Sequence, residues 1–286
     1  MKVGIDIGGT KLLIKAGERS VRLPTGAAAT AAEIEAAIRR QLQAWALRPS
    51  VIGVAIPGLV DRAGRVVISN VLPGLNGWWP REALADLGGP SCRIVALNDA
   101  EAALVEEAQD LAPDATVALV MAGTAIGAAF RVDGRPLRGA SGWAGELGFF
   151  PQRVGEQLLR LDELAGGRHI AAGLGLDGAQ LAERAGRGDA RALAAIARGG
   201  EALGLALAGV VNLFNPHRLL LGGGALELPG YEDAARAALQ RMALPPLLAA
   251  CQVRRADAGP TLVARGALRA AEQAVAGPRA SGPAPA

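Results

Sequence analysis

Apolar residues near the start of the chain form two short runs on either side of a glycine pair. The segment from residue 3 to residue 14, VGIDIGGTKLLI, places β-branched and other apolar residues before Gly8-Gly9 and again after Lys11. This pattern predicts a strand, a tight turn and an antiparallel strand. Asp6 lies inside the first of these strands, where a charge is costly unless it meets solvent, a cation or a ligand.

The same pattern returns later in the chain. Residues 117–130, VALVMAGTAIGAAF, again predict a strand, a glycine turn and a strand, and Gly123-Thr124 stands 114 positions after Gly9-Thr10. A repeat at nearly half of the chain length indicates two similar α/β domains. We expect the two domains to face each other across a central cleft.

Further helices and strands are predicted between and after these two segments. The periodicity favours helices at 31–47, 100–109, 201–214 and 261–275, and buried strands at 51–56, 92–97 and 218–221. We predict one α/β domain over residues 1–113 and a second over 114–276, whose final helix is able to pack back on the first. The Gly-, Pro- and Ala-rich residues 277–286 are expected to form a disordered tail.

The composition narrows the class of protein. Of the 286 residues, 51% are apolar and 20% are charged, as in globular domains, and no continuous apolar run reaches the length of a membrane span. The net charge of +3 is small and the basic residues are interleaved with acidic ones, so we expect no nucleic-acid partner. Cys92 and Cys251 are isolated, which excludes a disulfide framework. We therefore expect a cytoplasmic protein without a membrane partner.

Three glycine turns follow three predicted strands. They contain Gly8 and Gly9, then Gly123, and then Gly222, Gly223 and Gly224. The backbone N–H groups of such turns can approach phosphate oxygens closely, although most glycine turns are purely structural. The first turn adds three suitable side chains. Asp6 can hold Mg²⁺ through water, Thr10 can bond a phosphate oxygen, and Lys11 can offset developing charge.

Two other places in the sequence combine residues suited to ligand chemistry. Asn98-Asp99 stands where a predicted strand meets a predicted helix, so its carboxylate can accept a proton from a substrate hydroxyl that the amide orients. The alternative is that Asp99 only caps the helix. Glu146 lies among small residues in the segment GWAGELG, which suits a ligand contact and a solvated turn equally well.

The order of these motifs resembles that of the ROK-family sugar kinases. The matching segments are Asp6–Lys11, Pro57-Gly58, Asn98-Asp99, Gly123-Thr124, Ala144–Gly148, Asn215-Pro216 and Gly222–Gly224. The resemblance extends over nearly the whole chain. It implies a two-domain actin-like, ribonuclease-H-like ATPase fold that uses Mg²⁺ and transfers the γ-phosphate of ATP to a hexose hydroxyl.

The resemblance also implies roles for individual residues. Asp99 matches the catalytic base, and Asn70, Asn98 and Glu146 match sugar-binding positions. The positions that match ATP and phosphate contacts are Asp6, Gly8, Gly9, Thr10, Lys11, Gly123, Thr124, Gly222, Gly223 and Gly224.

The sequence departs from the family pattern at several positions. Family members usually have a His where Phe149 stands, followed by a cysteine motif that shares a structural zinc with that His, whereas here no cysteine follows until Cys251. We therefore expect no zinc and one sugar contact fewer. Asp162 and Glu163 are equally close counterparts of the Glu that ends the cysteine motif. Ala125 replaces a glycine of the second phosphate turn, which puts the close approach of that turn to phosphate in question.

These observations together predict an ATP-dependent kinase that phosphorylates a hexose or an N-acetylhexosamine and forms a homodimer, as is usual in the family. The alternative is a non-catalytic sensor that binds a sugar or a nucleotide; the departures favour it, and the joint presence of Asp6, Lys11 and Asp99 opposes it. We do not expect a repressor of this family, because the first strand begins at Lys2 and leaves no preceding helix-turn-helix. The sugar and the phosphate donor, ATP or polyphosphate, stay open.

Overall fold

The computed structural model describes residues 1–89, 91–257 and 259–276. The predicted tail, residues 277–286, lies outside this part of the chain. The described residues form two compact units, which are considered one at a time below.

The described chain contains both strands and helices. The strands are β1 (Lys2–Ile7), β2 (Lys11–Ala16), β3 (Arg19–Pro24), β4 (Val51–Ile56), β5 (Leu59–Val60), β6 (Val66–Ile68), β7 (Arg93–Asn98), β8 (Val117–Ala122), β9 (Ile126–Val132), β10 (Arg135–Pro136), β11 (Pro151–Val154), β12 (Gln157–Arg160), β13 (Arg218–Gly222) and β14 (Gln252–Arg255). The helices are α1 (Ala31–Ala44), α2 (Pro80–Ala83), α3 (Asp99–Glu107), α4 (Leu161–Ala165), α5 (Gly167–Ala172), α6 (Gly178–Gly186), α7 (Ala190–Phe214), α8 (Tyr231–Met242), α9 (Pro245–Ala250) and α10 (Leu262–Ala276).

The two units are not simple halves of the chain. Unit 1 contains Met1–Gln109, Arg138–Trp143 and the described residues from Gly259 onward, and unit 2 contains Asp110–Leu137 and residues 144–257. The single boundary expected after residue 113 therefore differs from the observed division. Unit 2 begins earlier because both carboxylate oxygens of Asp110 accept hydrogen bonds from Arg218 of β13, at 2.7 and 3.0 Å.

Unit 1 is built on a five-stranded sheet with the order β3-β2-β1-β4-β7. Strands β1, β2 and β3 pair antiparallel, whereas β1, β4 and β7 are parallel to one another. The carboxyl ends of β1, β4 and β7 consequently lie at the same edge of the sheet, which is where open α/β sheets bind ligands. Asp6 and Asn98 are both at this edge.

Unit 2 repeats this arrangement. Its sheet has the order β10-β9-β8-β13-β14, with β8, β9 and β10 antiparallel and with β8, β13 and β14 parallel. The predicted internal repeat of a strand, a glycine turn and a strand is therefore confirmed as β1–β2 in unit 1 and β8–β9 in unit 2. The carboxyl ends of β8 and β13 share one edge, so both glycine turns of unit 2 are at that edge.

The C-terminal helix α10 packs closely on the sheet of unit 1. A Cβ atom on Gly53 of β4 would lie 2.0 Å from the carbonyl oxygen of Ala267, and a Cβ atom on Gly266 would lie 1.8 Å from the carbonyl oxygen of Ala102 in α3. Backbone approaches this close are possible only where side chains are absent. The predicted final helix therefore groups with unit 1, because its small residues fit between β4 and α3.

We expect the Gly266→Ala substitution to lower the free energy of unfolding by about 3 kcal/mol, because the added methyl group forces α10 away from Ala102. Thermal unfolding followed by circular dichroism measures the effect. The matched control is Gly209→Ala in the interior of α7, where the added methyl group would meet nothing within 4 Å apart from its chain neighbours and the helix's own backbone. The control should gain up to about 1 kcal/mol from better helix propensity. Equal effects at the two positions would contradict this account of the α10 contact.

The core of unit 2 is organised around α7. This helix spans 25 residues and begins at Ala190, well before the predicted start at residue 201, because Asp189 caps its first turn by accepting from the N–H groups of Arg191 and Ala192. The helix is long and apolar enough to cross a membrane by length and composition alone. Most of its apolar surface is buried against the rest of unit 2, as in the central helix of a globular domain.

Candidate functional site

Asp6 sits near the carboxyl end of β1 and is nearly buried, with 11% of its side chain exposed. The nearest cationic group is the Lys11 ammonium, whose Nζ lies 4.0 Å from Asp6 Oδ2. Burial raises the pKa of the Asp6 carboxyl, and the charges of Lys11 and Arg22 offset part of that rise. A nearly buried carboxylate whose ion pair is as long as 4.0 Å is suited to accept a metal ion or its water ligands as well.

Arg22 was not predicted to belong to this site. The strand register pairs Asp6 with Leu13 and Leu13 with Arg22, so Asp6 and Arg22 lie on the same face of the sheet with β2 between them. The signal that could have identified it is the alternation of polar and apolar residues in β3, once β3 is recognised as a third antiparallel strand.

The first glycine turn connects β1 to β2. The Gly8 N–H donates to the carbonyl oxygen of Lys11 at 2.8 Å, which closes the turn, and Thr10 is exposed. A Cβ atom on Gly9 would lie 2.7 Å from Val71 Cγ1. Since Val71 follows Asn70 directly, the loop that carries Asn70 lies against the first glycine turn.

Asn70 itself is an exposed residue in the loop between β6 and a 3₁₀ turn at Pro73–Leu75. Neighbouring side chains hold this loop in place. The Ser69 N–H donates to Asn76 Oδ1 at 2.8 Å, and the Leu72 N–H donates to Ser69 Oγ at 3.0 Å. The Asn70 side chain is therefore presented to solvent by a loop whose backbone is fixed.

Asn98 and Asp99 occupy the junction between β7 and α3. The residue that caps the helix is Asn98, whose Oδ1 accepts from the Ala100 N–H at 2.8 Å while its Nδ2 donates to the Gly58 carbonyl at 2.9 Å. Asp99 is the first residue of α3, partly exposed, and its Oδ1 accepts from the Ala100 N–H at 2.9 Å. The expected cap at Asp99 is thus supplied mainly by Asn98, and among the described residues Gly58 alone accepts from the Asn98 amide, which leaves its second Nδ2–H for a ligand.

The two glycine turns of unit 2 are neighbours. Strand β13 pairs with β8 so that Gly222 lies opposite Met121, next to the second glycine turn at Gly123. Gly223 has a φ of +96°, and a Cβ atom there would lie 2.3 Å from the carbonyl oxygen of Ala122. This position requires glycine both for its conformation and for the close approach of the two strands.

The second glycine turn is supported by the start of α5. The Gly167 N–H donates to the Gly123 carbonyl at 2.8 Å, and the Arg168 N–H donates to the Thr124 carbonyl at 3.3 Å. Ala125 is exposed, and its φ is not positive. The turn therefore tolerates the methyl group of Ala125 without backbone strain.

Glu146 and Asp162 both belong to unit 2, and the charge of Asp162 acts on the Glu146 carboxyl. Partial burial raises the pKa of the Glu146 carboxyl, and the negative charge of Asp162 raises it further. Asp162 Oδ1 also accepts from the Ile126 N–H at the start of β9. Glu163, in contrast, is exposed and accepts from the Arg160 N–H at 2.8 Å as part of the cap of α4. Of the two acidic residues left open by the sequence, Asp162 is the one whose charge acts on Glu146.

The segment that follows Phe149 folds as a β-hairpin of β11 and β12. Gln152 anchors the hairpin by donating from Nε2 to the Ala202 carbonyl of α7 at 2.8 Å. The Phe149 ring is 54% exposed and lies 4.7 Å from the guanidinium carbon of Arg160. The residues that the structure describes contain no group of three or more His, Cys, Asp or Glu side chains placed to hold a metal ion.

A family model and a curated relative both match most of this chain. The ROK family model matches residues 2–274. An N-acetylmannosamine kinase of Salmonella heidelberg (strain SL476) is 27% identical over 281 residues, which cover 90% of this chain and 94% of that protein.

Two crystal structures extend the comparison. A ROK hexokinase from Thermus thermophilus is 29% identical, with a TM-score of 0.79, covering 96% of this chain and 99% of that chain. A ROK family glucokinase from Streptomyces griseus, in complex with glucose and AMPPNP, is 23% identical, with a TM-score of 0.73, covering 95% of this chain and 99% of that chain. The predicted α/β fold of the actin-like ATPases is thereby confirmed. Because the family model spans nearly the whole sequence, this chain belongs to the ROK family.

Proposed function

We propose that this protein transfers the γ-phosphate of ATP to a hydroxyl group of a hexose or an N-acetylhexosamine. The similarity to an N-acetylmannosamine kinase and to a glucokinase in complex with glucose and AMPPNP supports this class of reaction. The observation that carries the proposal is the shared sheet edge in unit 1. Asp6, the first glycine turn and Asp99 all lie at the carboxyl ends of parallel strands there.

Asp99 acts as the general base in this proposal. Its carboxylate accepts the proton of the attacking sugar hydroxyl, the hydroxyl oxygen forms a bond to the γ-phosphorus, and ADP leaves with the electrons of the broken bond. Asn98 orients the same hydroxyl through the Nδ2–H that does not bind Gly58. Asn70 and Glu146 bind other hydroxyl groups of the sugar.

The first glycine turn binds the phosphate groups of ATP. The Gly9 N–H and the Thr10 hydroxyl contact phosphate oxygens, Gly8 lets the turn approach the phosphate closely, and Lys11 offsets the charge that develops during transfer. Asp6 fits a Mg²⁺ ion that arrives with ATP, because it is a nearly buried carboxylate that still reaches solvent. The ion supplies charge neutralisation of the phosphate oxygens when it is bound.

In this proposal, the remaining nucleotide contacts and one further sugar contact belong to residues that match the family motifs. Gly123 and Thr124 bind phosphate, and Gly222, Gly223 and Gly224 lie against the adenosine. Glu146 accepts hydrogen bonds from sugar hydroxyls in its ionised form, and Asp162 takes the place of the glutamate that ends the family's cysteine motif.

The raised pKa of Glu146 predicts how sugar binding depends on pH. Only the ionised carboxylate is purely an acceptor, and a raised pKa means that protonation begins at a higher pH than for an ordinary glutamate with a pKa of 4.5. Sugar affinity should therefore fall as the pH is lowered through this raised pKa. Calorimetric titration from pH 8 to pH 4.5 measures the loss, and Glu146→Gln should bind more weakly with a flatter profile. An identical profile for the variant would contradict this role.

Three further features belong to the same proposal. The β11–β12 hairpin folds without zinc, since Gln152 and the strand pairing hold it, and metal analysis of the purified protein tests this. The enzyme works in the cytoplasm. It forms a homodimer, which the mass in solution will test.

The experiment that tests the proposed function is a coupled assay of ADP release. Glucose, mannose, fructose, N-acetylglucosamine and N-acetylmannosamine are compared, each with ATP and with polyphosphate as donor. We expect sugar-dependent ADP release with at least one of them. The alternative, a non-catalytic sensor, draws support from Phe149, which stands in place of the family histidine. Calorimetric sugar binding without turnover on any substrate would favour the sensor.

A further inference from the structure

The turn between β1 and β2 is shaped by hydrogen bonds rather than by left-handed glycines. Neither Gly8 nor Gly9 has a positive φ. Two adjacent glycines have many alternative conformations, each of which would aim the N–H groups of the turn differently. The bond from the Gly8 N–H to the Lys11 carbonyl closes the turn but leaves the following peptide group free to rotate. Contacts from outside the turn therefore decide which conformation is held.

Thr25, the residue directly after β3, supplies these contacts. Its Oγ1 donates to the carbonyl oxygen of Gly8 at 2.6 Å, and its backbone N–H donates to the carbonyl oxygen of Thr10 at 3.2 Å. Two carbonyl groups of the turn thus point toward the same residue. None of the sequence motifs includes Thr25.

The hydrogen bond from Thr25 to the Gly8 carbonyl also fixes the direction of the Gly9 N–H, because the two groups belong to the same planar peptide. In a trans peptide the C=O and N–H bonds point in opposite directions, and the described chain contains no cis peptide. With the Gly8 carbonyl held by Thr25, the Gly9 N–H points away from Thr25. No acceptor within the described part of the chain takes that N–H. It is therefore available to an acceptor outside the protein.

The other side of the turn is limited by Val71, whose Cγ1 lies 2.7 Å from the position of a Cβ atom on Gly9. The turn is thus held between Thr25 and Val71. Threonine also suits this role because its branched Cβ restricts the rotation that places Oγ1, whereas serine would place the same oxygen less firmly.

We propose that Thr25 is a positioning residue for nucleotide binding: by holding the carbonyl groups of Gly8 and Thr10, it keeps the Gly9 N–H directed at a phosphate oxygen of ATP. This inference rests on the proposed function in one respect, the identity of the ligand as a nucleoside triphosphate. It adds a residue outside the family motifs to the phosphate-binding machinery.

The test compares Thr25→Val, which keeps the shape but loses the hydroxyl donor, with Thr25→Ser, which keeps the donor. Steady-state kinetics are measured with ATP varied at saturating sugar and with sugar varied at saturating ATP. We expect Thr25→Val to lower kcat/KM for ATP by about 10-fold, the typical effect of one lost hydrogen bond. The KM for the sugar should change less than about 2-fold, and Thr25→Ser should recover most of the loss. The matched control is Ser20→Ala, an exposed position on β3.

A second measurement separates this inference from the proposed reaction. Binding of the ATP analogue AMPPNP is measured by calorimetry on the same variants, so no sugar or turnover is needed. Thr25→Val should bind AMPPNP about 10-fold more weakly than the wild type while Thr25→Ser stays close to it. Equal AMPPNP affinity for the wild type and Thr25→Val, no better binding by Thr25→Ser, or no AMPPNP binding by the wild type would each overturn the inference. If AMPPNP binding behaves as expected and no sugar is phosphorylated, the inference stands and the proposed function fails.

Discussion

The Asp99→Asn variant is expected to turn over at least about 10²-fold more slowly than the wild type, with little change in sugar affinity. Asparagine keeps the size of the side chain and can still accept a hydrogen bond from the Ala100 N–H, but it cannot take up the proton of the attacking hydroxyl. The loss should appear in kcat, because proton transfer belongs to the chemical step. Single-turnover kinetics and calorimetric sugar binding measure the two quantities separately.

A matched control for this variant is Asp233→Asn. Asp233 is an exposed acid in the first turn of α8, as Asp99 is in the first turn of α3, so both substitutions remove the same charge from a helix start. Asp233→Asn should retain wild-type turnover. Near wild-type kcat in Asp99→Asn would rule out Asp99 as the base.

The second large effect is expected for Asp6→Asn, which should lower kcat on the order of 10²-fold or more, because the carboxylate that fits the metal ion is removed. Higher concentrations of Mg²⁺ should not restore the lost rate. The measurement is initial velocity at saturating sugar and ATP over a range of Mg²⁺ concentrations. Wild-type rates at any Mg²⁺ concentration would contradict the role of Asp6.

Although Asp6→Asn should lower kcat, it should not lower the stability of the fold. The pKa of Asp6 is raised in the folded protein, chiefly by burial, so folding disfavours its charged form at neutral pH. Replacing that carboxylate by a neutral amide should leave the Tm unchanged or raise it at pH 7. As the pH falls through the raised pKa, Asp6 becomes protonated and the difference from the wild type should disappear.

Asp86→Asn provides the contrast. Asp86 is exposed, and a hydrogen bond from Arg39 lowers the pKa of its carboxyl, so folding favours its charged form. Asp86→Asn should therefore lower the Tm slightly at neutral pH and leave kcat unchanged. A lower Tm for Asp6→Asn as well would show that its lost activity reflects damage to the fold.

Local pattern was enough to predict the parts of the fold that depend on neighbouring residues. Strand β4 has the predicted bounds, 51–56, because six consecutive buried residues and a following Pro-Gly leave little alternative. The repeat of β1–β2 and β8–β9 followed from two glycine turns flanked by apolar runs. The placement of Asp99 at a strand–helix junction followed from the apolar segment that precedes it.

Features that depend on contacts between distant residues could not be predicted in this way. Residues 138–143 belong to unit 1, where Arg138 donates two hydrogen bonds to Glu101 of α3, at 2.7 and 3.1 Å. No local sequence pattern predicts this pair, because the two residues are 37 positions apart. The hydrogen-bond partners of Asp162 and Glu163, the Ile126 N–H and the Arg160 N–H, also required the structure, since local pattern does not distinguish two adjacent acids. Thr25 was missed for the same reason, because it lies 17 residues from the carbonyl that it holds.

The most direct test of the central claim is detection of the phosphorylated sugar itself. The purified full chain is incubated with ATP, Mg²⁺ and each sugar of the panel, and the products are followed by phosphorus-31 nuclear magnetic resonance, with Asp99→Asn in parallel. The account predicts a sugar phosphate formed in equal amount with ADP for at least one sugar, and almost none with the variant in the same time. ADP formed without any sugar phosphate, or equal product from the wild type and Asp99→Asn, would contradict it.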